Sequence, residues 1–228
     1  MVRKVCALAG MAMVLVACVN TGQMVSHTEV DDFSLDPALL HSAGLGFLTP
    51  VSATGQEADR VALALAFADA VDERSDDLRI VRLAEVLSAV NEAGMAHDYK
   101  KMIDDYQATG IMERDTLHSV GIAAGARYLG LLSLGDFSQQ TNKRLSIGGL
   151  RVFDTKQASI RLSWQIWDSH TGAIAWEGSD EIHYAYDTGR ERPVNLSFVA
   201  TQAAANLVGE IPEPAPRSTT AIVAASGE

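Results

Sequence analysis

The chain has 228 residues, of which 18 are basic and 29 are acidic, so its formal net charge at pH 7 is −11. An acidic surface opposes binding to nucleic acid and to anionic lipid, because both need clustered Lys and Arg side chains. The length and the 47% apolar content suit one compact domain of ordinary size with flexible ends.

The first 18 residues have the order of a secretory signal. Arg3 and Lys4 precede an apolar run from Val5 to Val16, and small residues then lead to a thiol. The run Leu15-Val16-Ala17-Cys18 resembles the signal of bacterial lipoproteins. In that family the Cys sulfur receives a diacylglycerol, the peptide is cleaved before the Cys, and the new amino terminus is acylated.

This resemblance implies that residues 1–17 are a signal peptide and that Cys18 is the lipid attachment site. An ordinary cleaved signal and a transmembrane anchor are the alternatives, but the apolar run is shorter than the ~20 residues of a spanning helix. With Cys6 removed and Cys18 alkylated, no thiol is left for a disulfide, a zinc site or a nucleophile. Val19 favours the outer membrane, because inner-membrane retention in enteric-type sorting is associated with Asp after the lipidated Cys.

Both ends of the mature chain are predicted to lie outside the domain. Residues 18–44 mix Thr, Ser, Gln and Asp with isolated apolar residues, which indicates a lipidated Cys and a tether with a reach of ~28 Å. Asp36 before Pro37 predicts an N-cap and a short helix within that tether. Residues 212–228 are rich in Pro, Ala, Ser and Thr, which predicts a disordered tail. Residues 45–211 are the predicted periplasmic α/β domain.

Strands and helices alternate in the first half of this domain. Leu45 to Val51 and Leu78 to Val81 are short apolar runs that predict strands. Between them, Thr54 and Glu57 match a capping box that opens a helix. The predicted buried face of that helix comprises Val61, Ala64, Leu65, Ala68 and Val71.

Three more helices are predicted in the middle of the chain. Apolar stripes identify two of them, formed by Leu83, Val86, Leu87 and Val90 and by Tyr99, Met102, Ile103 and Tyr106. The second stripe ends near Gly110, a predicted C-terminal cap. The third helix runs from about Glu113 to Ala124, and its Gly121 predicts close packing against a neighbour.

The second half of the chain is rich in strands. Arg127 to Leu134 is apolar enough for a central strand, and a polar loop follows it. Ser159 to Asp168 alternates, with Ile160, Leu162, Trp164 and Ile166 on one face. A turn at residues 169–172 leads to a strand over Ala173 to Tyr186, with Ile174, Trp176, Ile182, Tyr184 and Tyr186 on one face. Phe198 to Val208 is a final helix. The predicted fold is therefore a mixed sheet of about four to five strands packed with helices, including a C-terminal hairpin followed by a helix.

Three segments resemble a known family: Gly125 to Leu129, Ile160 to Asp168, and Thr171 to Glu177. Together they are similar to the periplasmic α/β domain shared by the TolB amino-terminal domain, LpoB and CsgG. The resemblance implies action by protein contact rather than by catalysis. A CsgG-like pore would need two added hairpins, and the stretch Ser138 to Gln157 is too short for both.

Catalytic signals are weak. No pair of the six His residues has the spacing of a helical metal site, and His170 and His183 flank the hairpin on different strands. The pairs Asp76-Asp77 and Asp104-Asp105 are adjacent residues that point apart, which indicates solvated faces. We predict no catalytic, cofactor-binding or metal-binding residues, and no enzymatic activity.

The leading hypothesis is an outer-membrane lipoprotein that faces the periplasm and binds another cell-envelope protein as an accessory or assembly factor. Its predicted contact surface is an exposed sheet edge or the loop from Ser138 to Lys156, which carries Lys143, Arg144 and Arg151. A homo-oligomer and a subunit of a secretion assembly stay open. Two further hypotheses also stay open. One is a binder of a small ligand or glycan that uses Trp167 with Tyr184 or Tyr186. The other is a cell-wall hydrolase with paired carboxylates.

Overall fold

The computed structural model describes residues 22–52, 57–74, 78–147, 150–188 and 196–215. These ranges contain seven strands and six helices, and none of these helices is both long enough and apolar enough to span a bilayer. The strands are β1 (Gly22–Asp32), β2 (Leu45–Phe47), β3 (Val51–Ser52), β4 (Ile80–Val81), β5 (Tyr128–Ile147), β6 (Leu150–Asp168) and β7 (Ala173–Thr188). The helices are α1 (Pro37–Ala43), α2 (Glu57–Arg74), α3 (Leu83–Glu92), α4 (Ala96–Thr109), α5 (Arg114–Ala124) and α6 (Leu196–Gly209).

All seven strands form one mixed sheet in the order β1-β7-β6-β5-β2-β4, with β3 also paired to β5. The contacts β1–β7, β7–β6 and β6–β5 are antiparallel, and those of β2, β3 and β4 are parallel. The predicted α/β class and the hairpin followed by a helix are confirmed. The predicted count of four to five strands is too low, because β1 lies in the predicted tether and the strand over Leu45–Val51 is split into β2 and β3.

Helices α1, α2 and α6 cover one face of the sheet over most of its length. Trp164 of β6 is fully buried at the centre of this core. Its ring lies 5.3 Å from Phe67 of α2, 5.5 Å from Trp176 of β7 and 6.1 Å from Phe47 of β2. The predicted inward alternation of β6 is confirmed, since every member of that set is buried.

Helices α3, α4 and α5 cover only part of the other face, near the row where Tyr128 pairs with Asp168. We call this end of the sheet the base. Tyr106 of α4 reaches furthest from the base and donates a hydrogen bond to Gln165 of β6 at 2.9 Å. Gln165 also donates to Glu177 at 3.1 Å, so this polar group marks where the helical cover ends.

Local sequence explains several element boundaries. The Asp36 carboxylate accepts a hydrogen bond from the Leu39 amide at 3.0 Å, which confirms the predicted N-cap before Pro37. Gly110 adopts a φ of 74° in the left-handed region and ends α4 as predicted. Thr54 of the predicted capping box lies outside the described residues.

Gly121 confirms the predicted close packing. A Cβ at this position would lie 2.4 Å from the Ser169 Oγ and 2.7 Å from its Cβ. Ser169 belongs to the turn after β6, which Asp168 holds by accepting from Arg127 at 3.1 and 2.8 Å and from the His170 amide at 2.9 Å. Burial acts to raise the pKa of Asp168, but the Arg127 guanidinium and the His170 amide hold it below its ordinary value.

Two predicted faces are wrong in part. Val61 and Leu65 are 46% and 50% exposed, whereas Leu63 and Phe67 are buried, because α2 packs against both the sheet and α6. In β7, a register shift opposite Ile166 and Trp167 turns Ile174 toward the core beneath α3 to α5. Trp176 and Ile182 keep the predicted inward direction.

The tether prediction is wrong for Gly22–Asp32, which pairs with β7 along its whole length as β1. Its Ser, Thr, His and acidic residues conceal the strand, because an edge strand with one solvated face needs few apolar residues. The predicted loop after Leu134 is also wrong. β5 and β6 continue as paired strands to Ile147 and Leu150, with three register shifts along the way.

Candidate functional site

The predicted site residue Cys18 lies outside the described residues, four positions before Gly22. Lys143, Arg144 and Arg151 lie on the extended β5 and β6 strands rather than in a loop. Their backbones are therefore beyond the part of the sheet that the helices cover.

The described residues leave one sheet surface uncovered, on the side of α3 to α5 but further from the base. We call it the open face. It comprises Val25, His27 and Glu29 of β1, Glu181 and His183 of β7, and Arg161 of β6.

Charges on the open face pair across strands. Arg161 donates to the Glu181 carboxylate at 2.8 and 3.3 Å, and the His183 ring lies 3.0 Å from the same carboxylate. On β1, the His27 ring lies 3.1 Å from Glu29. The hydrogen bond from Arg161 is the main reason that the pKa of Glu181 lies below its ordinary value. The open face therefore presents fixed charges of both signs.

The outer edge of β1 borders this face. β1 pairs with β7 from the Gly22–Tyr186 row to the Asp32–Trp176 row without a register shift. Within the described residues, no strand pairs with its other side. The opposite edge of the sheet is β4, which has two residues. The sheet therefore offers one long, regular edge for hydrogen bonding.

A shallow groove of about 350 Å³ lies beside the open face, toward the extended strands. Its lining mixes polar residues with Val25, Ala158, Tyr184 and Ala185. Ser138 and Ser159 are in contact through their hydroxyls at 3.3 Å. Gln23, Gln157 and His183 complete the polar part. The groove could accept a small polar group. Of the aromatic residues predicted for ligand binding, Tyr184 is among its lining residues and Trp167 is not.

The aromatic residues predicted for ligand binding are not brought together on the surface. Trp167 is 5% exposed and packs edge-on against Tyr106 in the core beneath α3 to α5. Tyr184 is half-buried on the other side of the sheet, 5.2 Å from the ring of Phe198. The side chain of Tyr186 lies outside the described set.

The predicted catalytic signals remain separate. His170 stacks edge-on with His118 at 5.2 Å near the turn, while His183 contacts Glu181 toward the other end of the hairpin. Asp104 and Asp105 form exposed ion pairs with Lys100 and Lys101. Asp76-Asp77 lie outside the described residues. Among the residues that are described, no three His, Cys, Asp or Glu side chains are close enough to hold a metal ion.

Sequence analysis missed a buried carboxyl group. Asp180 of β7 is fully buried and accepts hydrogen bonds from Thr28 of β1 and Asn206 of α6, each at 2.9 Å. Burial raises its pKa despite these two donors. The position could have been found, because Asp180 has the same parity as the inward-facing Trp176 and Ile182.

Comparisons with known proteins give remote similarities. No family model matches the chain, and no curated protein matches its sequence. Solved structures do match. The PelC dodecamer of Paraburkholderia phytofirmans is 12% identical, with a TM-score of 0.44 over 81% of this chain and 95% of its own. Lipoprotein GNA1162 of Neisseria meningitidis is also 12% identical, with a TM-score of 0.44 over 73% and 98%.

The LpoB C-terminal domain of Salmonella enterica is 14% identical, with a TM-score of 0.34 over 61% of this chain and 82% of that domain. The resemblance to LpoB that the sequence segments indicate is therefore also found by comparison of structures. These scores describe a distant similarity, and no activity or partner is carried over from it.

Proposed function

We propose that the chain is a non-enzymatic lipoprotein, anchored in the outer membrane through Cys18 and facing the periplasm. In this proposal it acts as an accessory or assembly factor of a cell-envelope complex through protein–protein contacts. The observation that carries the proposal is the long, regular outer edge of β1 beside the open face.

The edge of β1 suits strand addition. An exposed edge presents unpaired amide and carbonyl groups, and natural proteins protect it with charged side chains, especially Lys, with Pro, with bulges or with a covering segment. β1 contains neither Lys nor Pro and has no register shift against β7. An extended segment of a partner would satisfy these backbone groups, as in known modes of strand addition.

The open face would supply specificity beside that edge. Hydrogen bonds to a backbone edge are insensitive to sequence, so side chains must distinguish one partner from another. His27 and Glu29 are about three-quarters exposed and flank the edge, with Arg161 two strands away. A partner segment with charges complementary to this pattern would be preferred over an uncharged one.

The anchor is tested by substituting each cysteine in turn in the producing cell. Cys18→Ser should abolish incorporation of labelled palmitate and release the protein from the membrane fraction. Cys6→Ser is the matched control and should change neither property. Palmitate incorporation that persists in the Cys18→Ser chain would contradict the proposed anchor.

The partner is tested with a photo-crosslinking residue at Glu29, and with one at the equally exposed Lys100 of α4 as the control. We expect one envelope protein to be crosslinked at position 29 and not at position 100. The adduct should disappear when Val25→Lys places a charge on the edge. Equal labelling at both positions would count against a docking edge.

A second candidate is a binder of a glycan or other small polar ligand, favoured only by the groove that Ser138 and Ser159 line. Extracts of the cells used for crosslinking discriminate between the protein-binding and the ligand-binding proposals. Retention on peptidoglycan or a sugar resin, without any protein adduct at position 29, would favour the second candidate over the first.

A further inference from the structure

The amino-terminal end of β1 and the extended hairpin lie toward the same end of the sheet. Gly22 pairs with Tyr186, Tyr186 pairs with Lys156, and Lys156 pairs with Thr141, so these four residues form one row across the sheet. β1 runs from this row toward the base. The amino-terminal end of β1 therefore points away from the base, toward the side where β5 and β6 continue.

The hairpin and the segment from Cys18 to Gly22 differ in the reach that their lengths allow. Gly22 is four positions after Cys18, and four extended residues span at most about 14 Å. From the same row, β5 continues for six residues to Ile147, which is about 20 Å of strand. The paired strands therefore extend further from the row than the chain that leads to Cys18.

The composition of these strands is unlike that of the whole protein. Residues 142–147 and 150–155 contain three basic residues and one acidic residue, although the chain has a net charge of −11. The basic residues are Lys143, Arg144 and Arg151. The same two stretches contain the apolar residues Leu145, Ile147, Leu150, Val152 and Phe153. Basic residues mixed with large apolar residues are typical of segments that lie in the headgroup region of a membrane.

We propose that the end of the β5–β6 hairpin contacts the headgroup region of the bilayer that holds the Cys18 lipid. This inference rests on the proposed anchor. The difference between the two reaches is about 6 Å, which is close to the thickness of one headgroup layer. The negative charge of the whole chain opposes membrane binding, so the contact is confined to the basic end of the hairpin. The domain would then stand with its base, and the helices α3 to α5, away from the membrane.

The test uses the lipidated full-length chain, purified in detergent and reconstituted into vesicles of phosphatidylethanolamine and phosphatidylglycerol. Acylation of Cys18 and removal of Cys6 leave an introduced cysteine as the one free thiol. Val152→Cys is labelled with an environment-sensitive fluorophore, and Ser119→Cys on α5 near the base is the matched control. Lipids with a nitroxide in the headgroup region should quench most of the fluorescence at position 152 and little at position 119.

Further measurements separate the possible failures. Mass spectrometry of the same samples reports the acyl groups on Cys18, and circular dichroism reports whether each variant keeps the fold. Replacement of Lys143, Arg144 and Arg151 by Gln should weaken the quenching at position 152. An acylated, folded chain whose label at position 152 is quenched no more than the label at position 119 would overturn the hairpin contact alone. Absence of the acyl groups would overturn the anchor and, with it, this placement of the hairpin.

Discussion

Asp180 and Glu181 are consecutive acidic residues of β7 that face opposite sides of one sheet. Asp180 lies beneath α6, where burial raises its pKa. Glu181 lies on the open face, where the hydrogen bond from Arg161 is the largest influence and lowers its pKa. The direction of the pKa shift of a carboxyl group therefore depends on whether helices cover its face of the sheet, and adjacent positions in the chain can shift in opposite directions.

The two faces also differ in what holds them together. The covered face is fixed by close packing around Trp164, whereas the open face is fixed by polar pairs such as Arg161 with Glu181. Exposed ion pairs contribute little to stability, while burial of a large apolar side chain contributes several kcal/mol. Stability is therefore concentrated in the parts of the sheet that helices cover, including the core beneath α3 to α5, and the open face is free to carry recognition.

The largest expected effect is on the covered face. Trp164→Ala should lower the free energy of unfolding by about 3–5 kcal/mol, because it leaves a cavity among three aromatic rings. Ser163→Ala, at the preceding residue and on the other face of the sheet, should change the free energy of unfolding by less than about 0.5 kcal/mol. Chemical denaturation measures both. Similar losses in the two variants would remove the distinction between the faces.

A smaller effect is expected where α5 packs against the turn after β6. Gly121→Ala should cost about 1–3 kcal/mol, because its Cβ would overlap the side chain of Ser169. Ser169→Gly in the same chain should recover part of this loss, since it removes the overlapping atoms. A double variant no more stable than Gly121→Ala alone would show that another contact is responsible.

Asp180→Asn tests the buried carboxyl group. A native pKa above that of the unfolded chain means that Asp180 favours folding most at low pH, and that this contribution is lost as the pH rises through the native value. The amide that replaces the carboxyl group does not titrate, so the variant should be at least as stable at pH 7 and less stabilised by acid. The nearby His27 acts in the opposite direction to burial and lowers the pKa of Asp180. The measurement is the free energy of unfolding of both proteins between about pH 4 and pH 8, the range above the ordinary Asp pKa. If burial does not raise the pKa of Asp180, this free energy should depend on pH equally in the variant and in the original protein.

The smallest effect on stability is expected for Glu181→Gln. Its lowered pKa means that any contribution is present above the pKa of the unfolded chain and is lost as the pH falls through the native value. The Glu181 side chain is 37% exposed and its partner Arg161 is 64% exposed, so solvent screens this contribution and the unfolding midpoint at neutral pH should not change measurably. The same variant should weaken the crosslink at position 29 if the open face contributes specificity. A large fall in stability with unchanged crosslinking would reverse the assigned roles of the two faces.

Sequence patterns predicted the elements that have a strong apolar period. The stripe of α4 and the alternation of β6 bury the expected faces almost completely. In α3 only Val86 and Val90 are buried, while Leu83 is half-buried and Leu87 is 38% exposed. The patterns failed where partners distant in sequence decide the structure. β1 has a polar composition and becomes a strand through pairing with β7, while α2 turns Leu63 inward because α6 packs beside it.

The candidate surface was harder to predict than the fold. An exposed sheet edge was expected, but no local pattern identified β1 as that edge. The sequence predicts a loop in the extended part of the β5–β6 hairpin, because Gly148-Gly149 and its polar residues resemble turn chemistry. The pairing of Arg161 with Glu181 and the burial of Asp180 both depend on the register of three strands, which one sequence does not provide.

The pairing of β1 with β7 also has a consequence for the order of folding. The Thr28–Asp180 row joins residues that are 152 positions apart, so the first strand of the sheet has no partner until the last strand has been synthesised. Contacts of such long sequence separation form slowly, because a long loop must close before they contribute. The β6–β7 hairpin is the local pair and can form before β1 is added. If the chain is exported amino terminus first, β1 therefore crosses the membrane unpaired, and the sheet acquires its edge strand only after export is nearly complete.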